Sequence, residues 1–164
     1  MKYGFLRKIT RLMLCVGVLT SCDHFNSENV SDGLSEMDSF LIYGVTNTPY
    51  AALVRNIRST VEPLPDTDTS DDYALERWSF TAEVLETFRG VAAETILYTV
   101  DAEKGESPNF GDAPFIVLLC RSADGFYWPG VGFNFPAGER EKTIAQSAGR
   151  KAVKAQKAFA ECDD

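Results

Sequence analysis

The chain has 164 residues, 45% apolar and 12% aromatic, enough for one folded domain and short for two. A domain of that size buries roughly 70% of its unfolded surface, so it needs neither a metal nor a dense disulfide set to fold. Lys and Arg number 16 against 24 Asp and Glu, a net charge of −8, which argues against a nucleic-acid binder with its basic face or stripe.

Residues 1–21 have the order of an export signal. Lys2, Arg7, Lys8 and Arg11 form a basic start without an acid, and Leu12 to Thr20 is an apolar run. A membrane-spanning helix needs roughly 20 apolar residues, so this run is too short to remain as a span. It ends in Leu19-Thr20-Ser21-Cys22, which resembles the lipobox of bacterial lipoproteins. The resemblance implies a diacylglycerol on the Cys22 thiol, cleavage before Cys22, and acylation of the new amino group. Several acyl chains anchor stably where a single one binds only marginally. Cleavage removes four basic residues and no acid, so the mature chain is more acidic still. An anionic lipid surface repels such a chain, and the acyl anchor is what is expected to hold it there. Asp23, second in the mature chain, resembles an inner-membrane retention signal of enteric lipoproteins. The inner membrane, facing the periplasm, is therefore favoured over the outer membrane.

Residues 22–39 are polar and acidic and are expected to be a lipidated flexible tether, followed by a single globular domain over 40–164. His24 is the only histidine and falls in the tether, so the folded part has no catalytic or metal-binding histidine.

Phe40 to Val45 is a compact apolar run ending at Thr46-Asn47-Thr48-Pro49, and predicts a first strand. Tyr50 to Arg58 fits a short helix and a strand alike. Thr60 to Asp72 holds Pro63, Pro65 and a run of acids, and predicts an exposed loop. Within it, Asp66-Thr67-Asp68-Thr69-Ser70 imitates the start of a calcium loop, but the glycine and the final glutamate of that template are Asp71 and Arg77 here. A solvated acidic loop is expected, with a looser Ca²⁺ site through Asp66, Asp68 and Asp71 as the alternative.

Trp78, Phe80, Ala82, Val84 and Phe88 alternate with polar residues as in a half-buried strand, yet Leu75, Trp78, Ala82, Leu85 and Phe88 also satisfy a helical template. Glu94 to Val100 alternates cleanly and predicts a strand, and Lys104 to Asp112 predicts a loop. Phe115 to Cys120 is continuously apolar, as in a central strand covered on both faces. Ser122-Ala123-Asp124-Gly125 supplies a hairpin turn into Phe126-Tyr127-Trp128, and Phe133 and Phe135 suggest one more short strand. Glu139 to about residue 161 predicts a helix. Its apolar stripe is Ile144, Ala148, Ala152, Ala155, Phe159 and Cys162, and Arg150, Lys154 and Lys157 lie on another face.

Cys120 and Cys162 remain once Cys15 leaves with the signal and Cys22 is lipidated. The compartment is oxidising, and both thiols sit on faces that meet at the strand–helix interface, so a disulfide is expected between them.

Phe80-Thr81-Ala82-Glu83-Val84-Leu85-Glu86-Thr87-Phe88-Arg89-Gly90, the later Gly111-Asp112-Ala113-Pro114-Phe115-Ile116-Val117-Leu118-Leu119 and the aromatic hairpin after it resemble the netrin-like module shared with tissue inhibitors of metalloproteinases. The resemblance covers residues 73 to 162. It implies a mainly β (α+β) fold, a small five-stranded OB-like barrel over about 73–135 with a packed C-terminal helix, and it tips the ambiguous segment towards strand. The inhibitors' zinc chelation by a free N-terminal cysteine does not carry over, because Cys22 is expected to be lipid-modified and set apart by the tether. Fold likeness alone does not fix function.

Without a histidine in the domain, Ser–His and Cys–His nucleophilic pairs and His-based zinc sites are excluded, and no glycine-rich phosphate loop is present. Glu83 and Glu86 point to opposite faces of a strand and are expected as surface carboxylates. No cofactor is expected. The expected function is a lipid-anchored envelope module without catalysis, which binds a protein partner through Phe126, Tyr127 and Trp128 or through Arg150, Lys154 and Lys157. The alternatives are a small-ligand or sugar carrier, a carboxylate-dependent enzyme using the barrel interior, and a Ca²⁺-stabilised spacer.

Overall fold

The computed structural model describes residues 33–64, 74–154 and 156–162, which belong to one compact unit from Gly33 onward. Cys22, expected to be lipidated, and the calcium candidates Asp66, Asp68 and Asp71 lie outside the described residues.

The first element is a helix, α1, over Glu36–Asn47. The strand expected over Phe40–Val45 is thus part of α1, and the tether expected to reach Ser39 gives way to helix at Glu36. The start is fixed by a capping box. Ser35 Oγ accepts from the Asp38 N–H at 3.1 Å, and Asp38 Oδ2 accepts from the Ser35 N–H at 2.7 Å. From there Leu41, Gly44 and Val45 fall on one buried helical face. Thr48 closes the helix, its backbone N–H reaching Gly44 O at 3.0 Å, and Pro49 prevents continuation.

Six strands follow: β1 Tyr50–Pro63, β2 Leu75–Arg89, β3 Thr95–Glu103, β4 Phe115–Ser122, β5 Gly125–Tyr127 and β6 Asn134–Pro136. The ambiguous segments at Tyr50 and Trp78 are both strands, and β1 runs through Thr60–Pro63, which was expected to be loop. The fold is mainly β. β1 pairs antiparallel with β2 along its length and with β4 over Tyr50–Val54. β2 pairs with β3 and β4 with β5, both antiparallel, while β3 and β5 are parallel at Tyr98↔Phe126 and Thr99↔Tyr127. The pairing therefore closes in a ring, β1-β2-β3-β5-β4-β1, with β6 added on β4.

Alternation of side chains across the strands produces two apolar clusters. One is shared by the ring strands and is built from Tyr50, Phe80, Tyr98, Phe115, Val117 and Leu119 among others. Phe110 from the loop before β4 stacks on Phe115 at 5.2 Å and meets Phe80 edge-on at 5.3 Å, which fills that interior with rings. The other cluster lies on the opposite face, where Leu53, Ile116, Leu118, Phe133 and Phe135 meet α1 and α2. With a cluster on each side, β4 is buried from Phe115 to Cys120, as its continuous apolar sequence predicts.

The second helix, α2, spans Glu139–Lys151 and ends well short of the expected residue 161. Ala152 is already extended, with ψ 143°. The reason is tertiary. The residues after it turn back to the sheet, where Arg89 Nη2 donates to Val153 O at 3.1 Å, the Arg89 guanidinium lies 5.2 Å from the Phe159 ring, and Tyr43 Oη donates to Glu161 Oε1 at 2.5 Å. Cys120 and Cys162 lie at disulfide distance, with Cα atoms 5.4 Å apart. The disulfide thus joins β4 to an irregular tail, not to a helix.

Asp38 also ties the two helices together. It is 3% exposed, and Arg140 of α2 donates to both its oxygens, Nε to Oδ1 at 3.1 Å and Nη2 to Oδ2. The Arg140 fork, helped by the Ser35 N–H, holds this carboxyl well below the usual carboxylate range. A group whose pKa is depressed by folding stabilises fully above its unfolded value, about 3.9, and the contribution drains as pH falls below it. Asp38→Asn should therefore lower the melting temperature at neutral pH, and the gap from the wild type should close as pH falls below about 4. A gap that stays constant from pH 7 to pH 2.5 would contradict the assignment.

Candidate binding groove

β5 meets β3 over only two residue pairs, after which Trp128 N–H donates to Thr99 O at 2.9 Å and the chain leaves the sheet through Pro129 and Gly130. This short seam leaves a groove of about 420 Å³ on the outer side of β2, β3 and the β4–β5 turn. Its walls include Arg77 and Asp101 on one side and Asp124, Tyr127 and Trp128 on the other. The strand register puts Arg77 opposite Asp101, and they form a two-pronged pair, Nε–Oδ1 and Nη2–Oδ2 both at 2.8 Å. Asp101, with Glu62 and Asp124 near it, raises the Arg77 pKa above its ordinary value. The guanidinium is therefore a fixed planar cation within an acidic rim.

The three hairpin aromatics have different places. Phe126 turns inward, with its ring 4.7 Å from that of Tyr50 and the Arg121 guanidinium over it at 5.5 Å. Tyr127, next along the strand, lines the groove. Trp128 packs against both apolar clusters and edge-on to Phe110 at 5.6 Å, and its buried Nε1 has no partner among the described residues. A second depression of about 440 Å³, floored by Phe110 and bordered by Glu103, Glu106 and Val131, opens on the other flank of Trp128. Trp128 and Asp101 line both hollows, so the indole forms a partition between them. Phe133 and Phe135 are buried beneath the helices.

The expected basic helix face is not one surface of a helix. Arg150 lies in the last turn of α2, whereas Lys154 and Lys157 lie in the irregular tail after it. Lys154 borders a third depression with Arg89 and Phe159, apart from the aromatic groove. Glu86 accepts from Gln146 of α2 and Glu83 pairs with Arg55, so the structure does not bring these two carboxylates together. Among the described residues no three potential metal ligands cluster, and no helix is long and apolar enough to cross a membrane. The Arg77–Asp101 pair was not found from sequence, because two residues 24 apart become neighbours only through the β2–β3 register.

Compared with known proteins, the chain matches no family model and shows no significant similarity to a curated protein.

Proposed function

We propose that this chain is a lipid-anchored lipoprotein of the bacterial envelope, facing the periplasm from the inner membrane, that works as a non-catalytic protein-binding module. The basic start, short apolar run and Leu19-Thr20-Ser21-Cys22 support the anchor. The strand order, closed through β1–β4 and with β3 parallel to β5, supports an OB-like, netrin-like barrel. OB-type barrels bind ligands on the face of their second and third strands with the adjoining loops. The observation that carries the binding reading is the groove on that face, where Tyr127 and Trp128 stand beside the fixed Arg77–Asp101 pair over an interior already filled by aromatic rings. Aromatic and arginine side chains set in partly desolvated hollows are the usual anchors of protein interfaces.

The test is crosslinking of the lipidated protein in cells, recovery from solubilised envelopes, and mass spectrometry. One envelope protein should be recovered in stoichiometric amount, and Tyr127→Ala or Asp124→Lys should reduce its recovery about tenfold or more while circular dichroism is unchanged. Recovery of abundant background proteins alone would overturn the reading. A sugar or other small ligand is the second reading, favoured by an aromatic wall next to the carboxylates of Asp101 and Asp124.

A further inference from the structure

β1 is longer than its neighbour on one side. β4 covers it only over Tyr50–Val54, and no backbone partner among the described residues lies beside Arg55–Pro63 on that edge. Within this stretch the pairing with β2 is regular from Arg58↔Thr81 to Pro63↔Glu76, after a bulge at Ile57. Leu64 N–H bonds to Leu75 O, so the even-numbered residues direct their backbone groups to β2. Ser59 and Val61 therefore direct theirs outward, without a backbone partner among the described residues, from an exposed strand. The segment is bounded on one side by the bulge and on the other by Pro63, which has no N–H to offer.

Side chains on the outer face of this end of the sheet alternate in sign across the strands. Asp101 on β3 opposes Arg77 on β2, and Arg77 opposes Glu62 on β1. The row thus stops at the open edge on an acid. Four residues earlier on the same edge, and on the same face, stands Arg58. An identical strand laid antiparallel with its twofold axis at Thr60 places Arg58 of each copy directly opposite Glu62 of the other. It pairs Thr60 with Thr60, and Ser59 with Val61 at the two positions whose backbone groups point outward. The alternation then continues across the seam as Asp101, Arg77, Glu62 and the second copy's Arg58.

We infer that the open β1 edge, Arg58-Ser59-Thr60-Val61-Glu62, is a homotypic interface that pairs with the same edge of a second copy about a twofold axis at Thr60. Such an interface is isologous, as closed dimers require. Unlike charges and Thr–Thr placed opposite across strands are favourable, and an unpaired edge is a ready template for a further strand. A hollow of about 360 Å³ lined by Asn56–Ser59 and Pro108–Asp112 lies at the Arg58 end of this edge. The interface is independent of the aromatic groove.

Residues facing each other at a position like Thr60, without mutual hydrogen bonds, have Cα atoms about 4.5 Å apart, within reach of a disulfide. The full lipidated chain carrying Thr60→Cys, oxidised in its native envelope, should give a dimer linked at position 60 by peptide mapping, in about tenfold excess over an exposed Leu97→Cys control. Arg58→Glu or Glu62→Arg introduced into the Thr60→Cys chain should each reduce that crosslink, and the two together, which restore the opposite charges, should return it. Equal crosslinking at 60 and 97 would overturn the proposal. So would a charge swap that fails to restore the dimer in chains whose circular dichroism is native.

Discussion

Cys162→Ser is expected to cost about 2–4 kcal/mol of stability, because it releases a loop that spans 42 residues between Cys120 and Cys162. In the chain-entropy account, closing a loop of that length removes about 4 kcal/mol of denatured-state freedom, less any strain in the folded state. The bond fastens the tail that reaches Arg89 through Val153 and Phe159 and reaches Tyr43 through Glu161. Loss of the bond should therefore act unevenly. Amide exchange should rise first in residues 153–162, while α2 and the ring strands change little until global unfolding. Urea titrations of the purified protein with and without a thiol reductant give the check. The wild type under reductant should fall to the stability of Cys162→Ser, and the variant should not respond to reductant. Equal midpoints for variant and oxidised wild type would show that the bond contributes nothing.

Gly149→Ala should destabilise the fold by about 1–3 kcal/mol, although the same change inside an exposed helix would ordinarily gain about 1 kcal/mol. Gly149 is in α2 where the helix crosses β2, and a Cβ there would lie 2.0 Å from Phe88 O and 2.9 Å from Phe88 C. Both are backbone atoms. Phe88 is the extra residue of a bulge between the Ala51↔Arg89 and Ala52↔Thr87 pairs, so yielding would disturb the β1–β2 ladder. Gly44→Ala makes a useful contrast. Its Cβ would lie 2.2 Å from Leu118 Cδ1, the end of a side chain that can change rotamer, and the loss should be smaller. Thermal melts of the two variants decide the matter. A Gly149→Ala protein as stable as the wild type would mean that α2 can lift from β2 freely.

The elements that were legible in the sequence are those where local pattern and tertiary surroundings agree. β4 is continuously apolar because clusters cover both its faces, and Cys120 was placed correctly because it continues the alternation of Ile116 and Leu118. α1 was misread for a reason that its residues explain. Six apolar or small residues in a row suit a buried strand or a buried helix equally. The deciding signal was upstream, in the Ser35 and Asp38 capping box. In α2 the error was one of length. Ala, Lys and Gln favour helix through residue 160, but that stretch has little apolar surface to bury as a helix, whereas the irregular tail brings Phe159 to Arg89 and Cys162 to Cys120. The groove was legible only in part. Phe126, Tyr127 and Trp128 announced an aromatic site, but which ring turns inward follows from strand alternation at the β3–β5 seam. Arg77 and Asp101 meet through register, which neither composition nor spacing encodes.

The β1–β4 closure also sets an order of events in folding. Tyr50–Val54 needs Phe115–Leu119, more than sixty positions later in the chain, before its second edge is covered. The β1–β2–β3 meander is assembled from neighbouring segments and so comes early, whereas the last seam requires a non-local pairing, the slow kind. Until that seam forms, the apolar start of β1 is bare on one side. Folding yield should therefore be limited at this step, and a factor that shields a short apolar strand edge would raise it more than one that speeds disulfide exchange.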